Sequence, residues 1–183
     1  YRSLILSRLD YCSAIWNPNS SASLCNKLED VQRFFTRKIA GYSNMDYWSR
    51  LKSLHLYSLQ RRSERYLIIY VFKIIHGLVP NCGLTVKENE RTGLHAVVPG
   101  IRPNSSTFVK HMRRDSFLVV APTLFNLLPT ELRRLFYNEN PLNSFKTSLD
   151  NFLKTIPDEP TVAGLTRAAD SNSLVDQIMY RCS

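Results

Sequence analysis

Ten consecutive residues, Tyr66–Ile75 (YLIIYVFKII), are apolar or aromatic with the single exception of Lys73. Ser58 ahead of the run has the chemistry of a helix N-cap, and Gly77 behind it that of a helix stop. The spacing therefore predicts one long helix running to His76, apolar nearly all round its second half. Such a helix must be buried. The longest unbroken apolar stretch, Leu67–Phe72, falls far short of the ~20 residues that a bilayer span needs. It is expected at the centre of a protein core, with no membrane partner.

The rest of the pattern is also helical. From Ala22 to Ala40 the apolar residues Leu24, Leu28, Val31, Phe35 and Ile39 step by 4, 3, 4 and 4, one face of an amphipathic helix, with Gly41 as its stop. Tyr1–Leu9 reads as the end of a helix. A short helix is expected over Asp46–Leu54, turning Trp48 and Leu51 inward. After Gly77 the character changes, because Pro80, Gly83, Gly93, Pro99, Gly100 and Pro103 interrupt any long element. Leu94–Val98 and Phe117–Val120 have the composition of short strands. Pro122 suits the first turn of a short helix over Thr123–Leu128, Thr130 a further turn, and the steps Phe145, Leu149, Phe152 a last helix over Leu142–Leu153. The expected architecture is mainly α, a helical bundle with a small irregular or β insert and short C-terminal helices. By region this means a helical part over 1–77, a Gly/Pro-rich linker with short strands over 78–116, a helical extension over 117–155 and an acidic, weakly structured tail over 156–183. At 44% hydrophobic residues in 183, the chain has enough apolar mass to build a core.

No catalytic constellation stands out. A phosphate-cradling Gly-rich loop, HExxH and G-x-S-x-G are all missing, and no two Asp lie close enough in sequence for a two-metal hairpin. His55, His76, His95 and His111 are isolated from one another. Cys12, Cys25, Cys82 and Cys182 have neither zinc-site spacing nor the density of a disulfide scaffold. They read as reduced thiols of an intracellular protein, nuclear or cytoplasmic, with Cys12 and Cys25 inside. No cofactor and no metal are expected. A chain opening on Tyr1 without Met is also expected to be a piece of something longer.

Charge is better organised than chemistry. The chain has 24 Lys and Arg against 15 Asp and Glu, a formal net charge of +9, and residues 1–80 carry 12 of the bases and 5 of the acids. Clustered cations concentrate phosphates. Arg33 and Arg37 share the face opposite the apolar stripe of the first long helix, with Lys38 on its shoulder. Arg61, Arg62 and Arg65 crowd the first two turns of the central helix. There, free backbone amides and the positive end of the helix dipole add to their field, a natural anion site. Pairing with Glu64 and nearby acids such as Asp46 is the alternative. Arg113 and Arg114, beside Lys110 and His111, make a third basic cluster.

Five stretches together resemble a known family. LILSRLDYCSAIWNP, KLEDVQRFFTRKIAG, DYWSRLKSLHLYSLQRRSERYLIIYVFKIIHG, RDSFLVVAPTLFNLLPTELRR and NSFKTSLDNFLK, in this order over about residues 1–155, resemble the region downstream of the polymerase core in reverse transcriptases of jockey-like, LINE-type non-LTR retrotransposons. The resemblance implies a thumb-like helical segment and a C-terminal extension, partnered by an RNA/DNA template–primer duplex and by the upstream polymerase domain of the same polyprotein. The family's catalytic aspartates lie upstream of this stretch, so the chain is not expected to be active alone. Where the family usually has Trp-Asn-x-Leu-Pro, this chain has Phe125-Asn126-Leu127-Leu128-Pro129, which keeps aromatic bulk and loses the indole N–H. The expected function is a non-catalytic grip on nucleic acid through the phosphate-binding residues Arg33, Arg37, Lys38, Arg61, Arg62, Arg65, Arg113 and Arg114. The alternatives are a helical protein-interaction module and a non-functional remnant of such an element.

Overall fold

A helix that must be buried needs elements to cover it, and the computed structural model supplies them mostly as helices, with one small two-stranded sheet. It describes residues 2–11, 13, 22–89, 93–100, 102–134, 141–160 and 172–181. These divide into two compact units, Tyr1–Glu64 with Pro157–Ser183, and Arg65–Ile156. The boundary falls inside the central helix, rather than after residue 77.

The first unit opens with a π-helical turn, Arg2–Leu6, that runs into α1 (Ser7–Asp10). Then come α2 (Ala22–Arg37) and α3 (Tyr47–Ser53), which pack on each other, and the start of α4 (Leu59–Ile75). On α2 the expected apolar stripe is not the deepest line. Leu24 is 48% exposed, whereas Glu29, Gln32 and Thr36, spaced three and four apart beside that stripe, are buried. α3 starts where Asp46 accepts hydrogen bonds from the Trp48 and Ser49 amides, and the Ser49 amide above all holds the Asp46 carboxyl below its usual range. Leu51 turns inward as expected, but Tyr47 and Arg50 are the other buried residues and Trp48 is only half-buried.

The segment expected to be a tail returns to this unit. It carries α9 (Leu174–Arg181), with Asn172, Leu174 and Gln177 buried. Sequence periodicity missed α9 because its inward face is partly polar.

The second unit is built on the rest of α4. Leu67, Ile68, Val71 and Phe72 are buried, and the Phe72 ring stacks on Phe145 at 3.9 Å. α4 ends as Gly77 enters the left-handed region (φ 65°) and the Gly77 and Leu78 amides donate to the carbonyls of Ile74 and Lys73. That is a Schellman closure, and glycine is what makes the conformation cheap. β1 (Val86–Asn89) pairs antiparallel with β2 (Gly93–Ala96), followed by α5 (Thr107–Arg114), α6 (Phe117–Asn126), α7 (Thr130–Arg133) and α8 (Pro141–Lys154). β2 overlaps the strand expected at Leu94–Val98. Phe117–Val120 is not a strand. It is the first turn of α6, whose Val119 and Val120 amides donate to the Ser116 carbonyl. β-branched residues suit a strand only where a ladder partner exists, and here packing beneath α6 decides otherwise. Pro122 accordingly lies inside α6, buried, rather than at a helix start.

The Phe125–Pro129 stretch is structural. Phe125 and Leu128 are in the core, and Asn126 acts as a surrogate strand. Its Oδ1 accepts from the Ala96 amide at 3.0 Å and its Nδ2 donates to the Ala96 carbonyl at 2.8 Å, closing the free edge of β2 at a fully buried residue. Asn126→Ala leaves both backbone groups unpaired and is expected to cost about 2–3 kcal/mol. Urea unfolding measures this, and a loss below ~1 kcal/mol contradicts the assignment.

Candidate nucleic-acid interface

The start of α4 is an anion site, as its sequence predicts, and the protein's own carboxylates fill it. The Ser58 amide donates to Asp158 at 2.7 Å and the Leu59 amide to Glu29 at 2.9 Å. The Ser58 hydroxyl accepts from the Arg61 amide, as an N-cap should, and donates to Asp158. Asn172 bridges Ser58 and Asp158 from the returning segment. The Ser58, Leu59 and Arg61 amides are thus taken by the protein itself, where the sequence suggested a phosphate.

The three arginines of α4 are also committed. Arg62 forks onto Asp10, with both N–O distances 2.6 Å. Arg65 forks onto Asp150, with Nη2 at 2.7 Å from Oδ2. Both are bidentate pairs, the strongest form of the arginine–carboxylate contact. Arg61 is fully buried, with its Nε 3.7 Å from Glu64 and its Nη2 donating to the Pro157 carbonyl at 3.0 Å. Among the described residues its Nε and Nη1 have no hydrogen-bond partner. The expectation of one exposed ridge through Arg61, Arg62 and Arg65 is therefore corrected, and the pairing alternative holds with Asp10, Glu64 and Asp150 in place of Asp46. Asp10 and Asp150 lie 52 and 85 residues from their partners, beyond the reach of helical spacing.

Glu64 completes the arrangement. Its carboxylate takes the Leu174 amide at the start of α9, with 3.0 Å to each oxygen. Arg61 and Glu64 thus hold the returning chain by a carbonyl at Pro157 and an amide at Leu174. One signal could have revealed them: both fall on the face of α4 that continues into Ile68 and Phe72, a line of buried residues. The same rule finds Glu29 and Gln32 beside the stripe of α2. Glu29 accepts from the Tyr47 hydroxyl, while Gln32 donates to the Tyr57 carbonyl at 3.0 Å.

The remaining candidate cations are differently placed. Arg33 pairs with Asp30 at 2.8 Å and lies 4.9 Å from the centre of the Tyr47 ring. Arg37 and Lys38 are exposed at the end of α2, and the Lys38 ammonium is 5.4 Å from the Phe34 ring centre. On α5 every side chain is exposed or nearly so and none is buried. Arg102, Lys110, His111 and Arg114 surround an open recess of about 310 Å³, and Arg113 stands on the same helix. No Asp or Glu occurs from residue 91 to 114. Among the described residues Arg37, Lys38, Arg102, Lys110, Arg113 and Arg114 have no carboxylate partner. These cations form two groups, one in each unit, and Asp115 caps the end of α5 directly after Arg114.

No group of three or more His, Cys, Asp or Glu able to hold a metal occurs among the described residues, and no helix there is long and apolar enough to cross a membrane. Cys25 is half-buried and Cys82 exposed, both as free thiols. Cys12 and Cys182 lie outside the described residues.

Burial pushes the Glu29 carboxyl from 4.5 up to about 7, and the Glu64 carboxyl from 4.5 up to about 8, against the pull of Arg61. Between pH 4.5 and these values the unfolded chain loses a proton that the folded chain keeps. Stability then falls as pH rises, by up to about 1.4 kcal/mol per pH unit for each group. The protein is expected to unfold at lower urea at pH 8 than at pH 5, and Glu29→Gln, which keeps an acceptor for the Leu59 amide, to flatten the slope between pH 5 and 7. A stability that is flat or rising over that window contradicts the assignment.

Comparison with known proteins gives no relative: no protein-family model, curated protein or solved structure matches the chain.

Proposed function

We propose that this chain is a non-catalytic nucleic-acid-binding segment that grips the phosphate backbone of an RNA/DNA template–primer duplex. In this reading the parent is a retrotransposon reverse transcriptase, whose upstream polymerase domain is the second partner. An intracellular setting, nuclear or cytoplasmic, belongs to the same proposal. The order of the five sequence blocks supports the parentage.

One observation carries the binding role. Arg102, Lys110, Arg113 and Arg114 stand exposed around α5 in a stretch without a single acid. Cations with no carboxylate partner among the described residues leave their field directed at solvent, where counterion release on meeting a phosphate chain drives association. Contacts of this kind position a duplex without reading its sequence. Arg37 and Lys38 add a second grip. Arg61, Arg62 and Arg65 shape the fold instead, and Arg33, half-exposed beside Asp30, adds little.

A second reading draws on α5 itself. Phe108 is 72% exposed and Met112 61%, side by side on the helix at i,i+4. An exposed apolar pair of that kind is also the mark of a helical protein-interaction module.

Binding of an RNA–DNA hybrid should weaken steeply with salt, with a log–log slope near −0.9 per phosphate neutralised. Arg113→Gln combined with Arg114→Gln is expected to make that slope shallower by about 1.8, two contacts' worth. Binding that stays flat across a fivefold change of salt contradicts the nucleic-acid reading. Loss of a protein partner on replacing Phe108 and Met112, with hybrid binding intact, favours the interaction module.

A further inference from the structure

We propose that the end of α2 holds one unpaired nucleotide of a single strand, with its base on the Phe34 ring and its phosphate on Arg37 and Lys38. The inference rests on the nucleic-acid reading and names the form of ligand that this surface takes.

Phe34 and Arg37 are spaced i, i+3 on α2 and so share one face, and Lys38 follows directly in the turn that ends the helix. Phe34 is off the apolar stripe of the helix and 59% exposed, while its neighbour Phe35 is half-buried and meets it edge-to-face at 5.3 Å. The Lys38 ammonium lies 5.4 Å from the centre of the Phe34 ring, so a base stacks on the part of the ring that Lys38 and Phe35 leave open. Together with Ile39, Ala40, Gly41 and Ser43, these three side chains line an open recess of about 610 Å³, within the range of small-ligand sites, roughly 300–1,000 Å³. Gly41 turns the chain at φ 84°, and a methyl group built on it would meet nothing within 4 Å, so the mouth of the recess is open along that side.

An exposed aromatic beside two cations is the combination that binds single strands, since every base has a π face and every linkage a phosphate. A duplex keeps its bases stacked on each other and cannot offer one to Phe34. Arg37 and Lys38 also face the negative end of the α2 dipole, a sufficient structural reason for two cations there. Phe34 is what that reason does not explain, and the test turns on it.

The full chain is titrated by fluorescence anisotropy with labelled oligo(dT) and with an abasic oligonucleotide of equal length. Phe34→Leu keeps apolar bulk at an exposed position and removes the π face. It is expected to weaken oligo(dT) binding about tenfold and to leave the abasic strand unchanged, whereas Arg37→Gln with Lys38→Gln weakens both alike. If Phe34→Leu leaves oligo(dT) binding at wild-type strength while the charge variant lowers it, the strand is held by phosphates alone. The stacking site is then overturned and the nucleic-acid reading stands. If wild-type protein binds neither strand nor the hybrid, that reading fails and the site with it.

Discussion

The N-terminal turn of α4 brings several positive groups together. Backbone amides of Ser58, Leu59 and Arg61, the helix dipole and the guanidinium groups of Arg61, Arg62 and Arg65 all come together within two turns. Left to itself this turn would repel its own parts and the start of the helix would be weakened. Glu29 and Asp158 take the amides, and Asp10, Glu64 and Asp150 take the arginines. Most of these acids come from distant parts of the chain. Neutralising one helix start therefore also fixes where the N-terminal helices and the returning C-terminal segment lie within the first unit.

This arrangement changes how the charge of the chain is read. A net +9 suggests a protein ready for phosphates throughout, yet the arginines at the start of α4 are spent internally. What is left facing solvent is smaller and elsewhere, at the end of α2 and around α5. Burial sharpens the distinction, because an arginine removed from water without a carboxylate is far costlier than one on a surface. Arg61 is the extreme case: fully buried, next to an equally buried Glu64, and holding the Pro157 carbonyl. A surface arginine with no acid near it has no comparable tie to the fold.

Local features were legible in the sequence. Ser58 as the cap of α4, Gly77 as its end and the burial of Leu67–Phe72 follow from chemistry within a turn or two of each residue. So does the last long helix, α8, from the spacing of Phe145 and Leu149. What failed was everything set by partners far along the chain. Asp10 and Asp150 carry no local sign that they belong to Arg62 and Arg65. Phe117–Val120 looks like a strand because valine and phenylalanine suit one, and nothing nearby reveals that no ladder awaits it. The acidic stretch after Ile156 reads as solvated tail because its contacts with α4 are made by a carboxylate, an amide and a backbone group. For the candidate site, the cations near Arg37 and Arg113 were visible as charge clusters, but which of them lack a carboxylate partner among the described residues could be known only from the fold.

The central claim is that the arginines at the start of α4 stabilise the fold through their carboxylate partners. A double-mutant cycle on Arg62 and Asp10, each replaced by alanine alone and together and unfolded in urea at pH 7, tests it most directly. The account predicts a coupling of about 1–3 kcal/mol, the range for partly buried bidentate pairs that act as one unit. Single-mutant losses that add to within ~0.3 kcal/mol would contradict it.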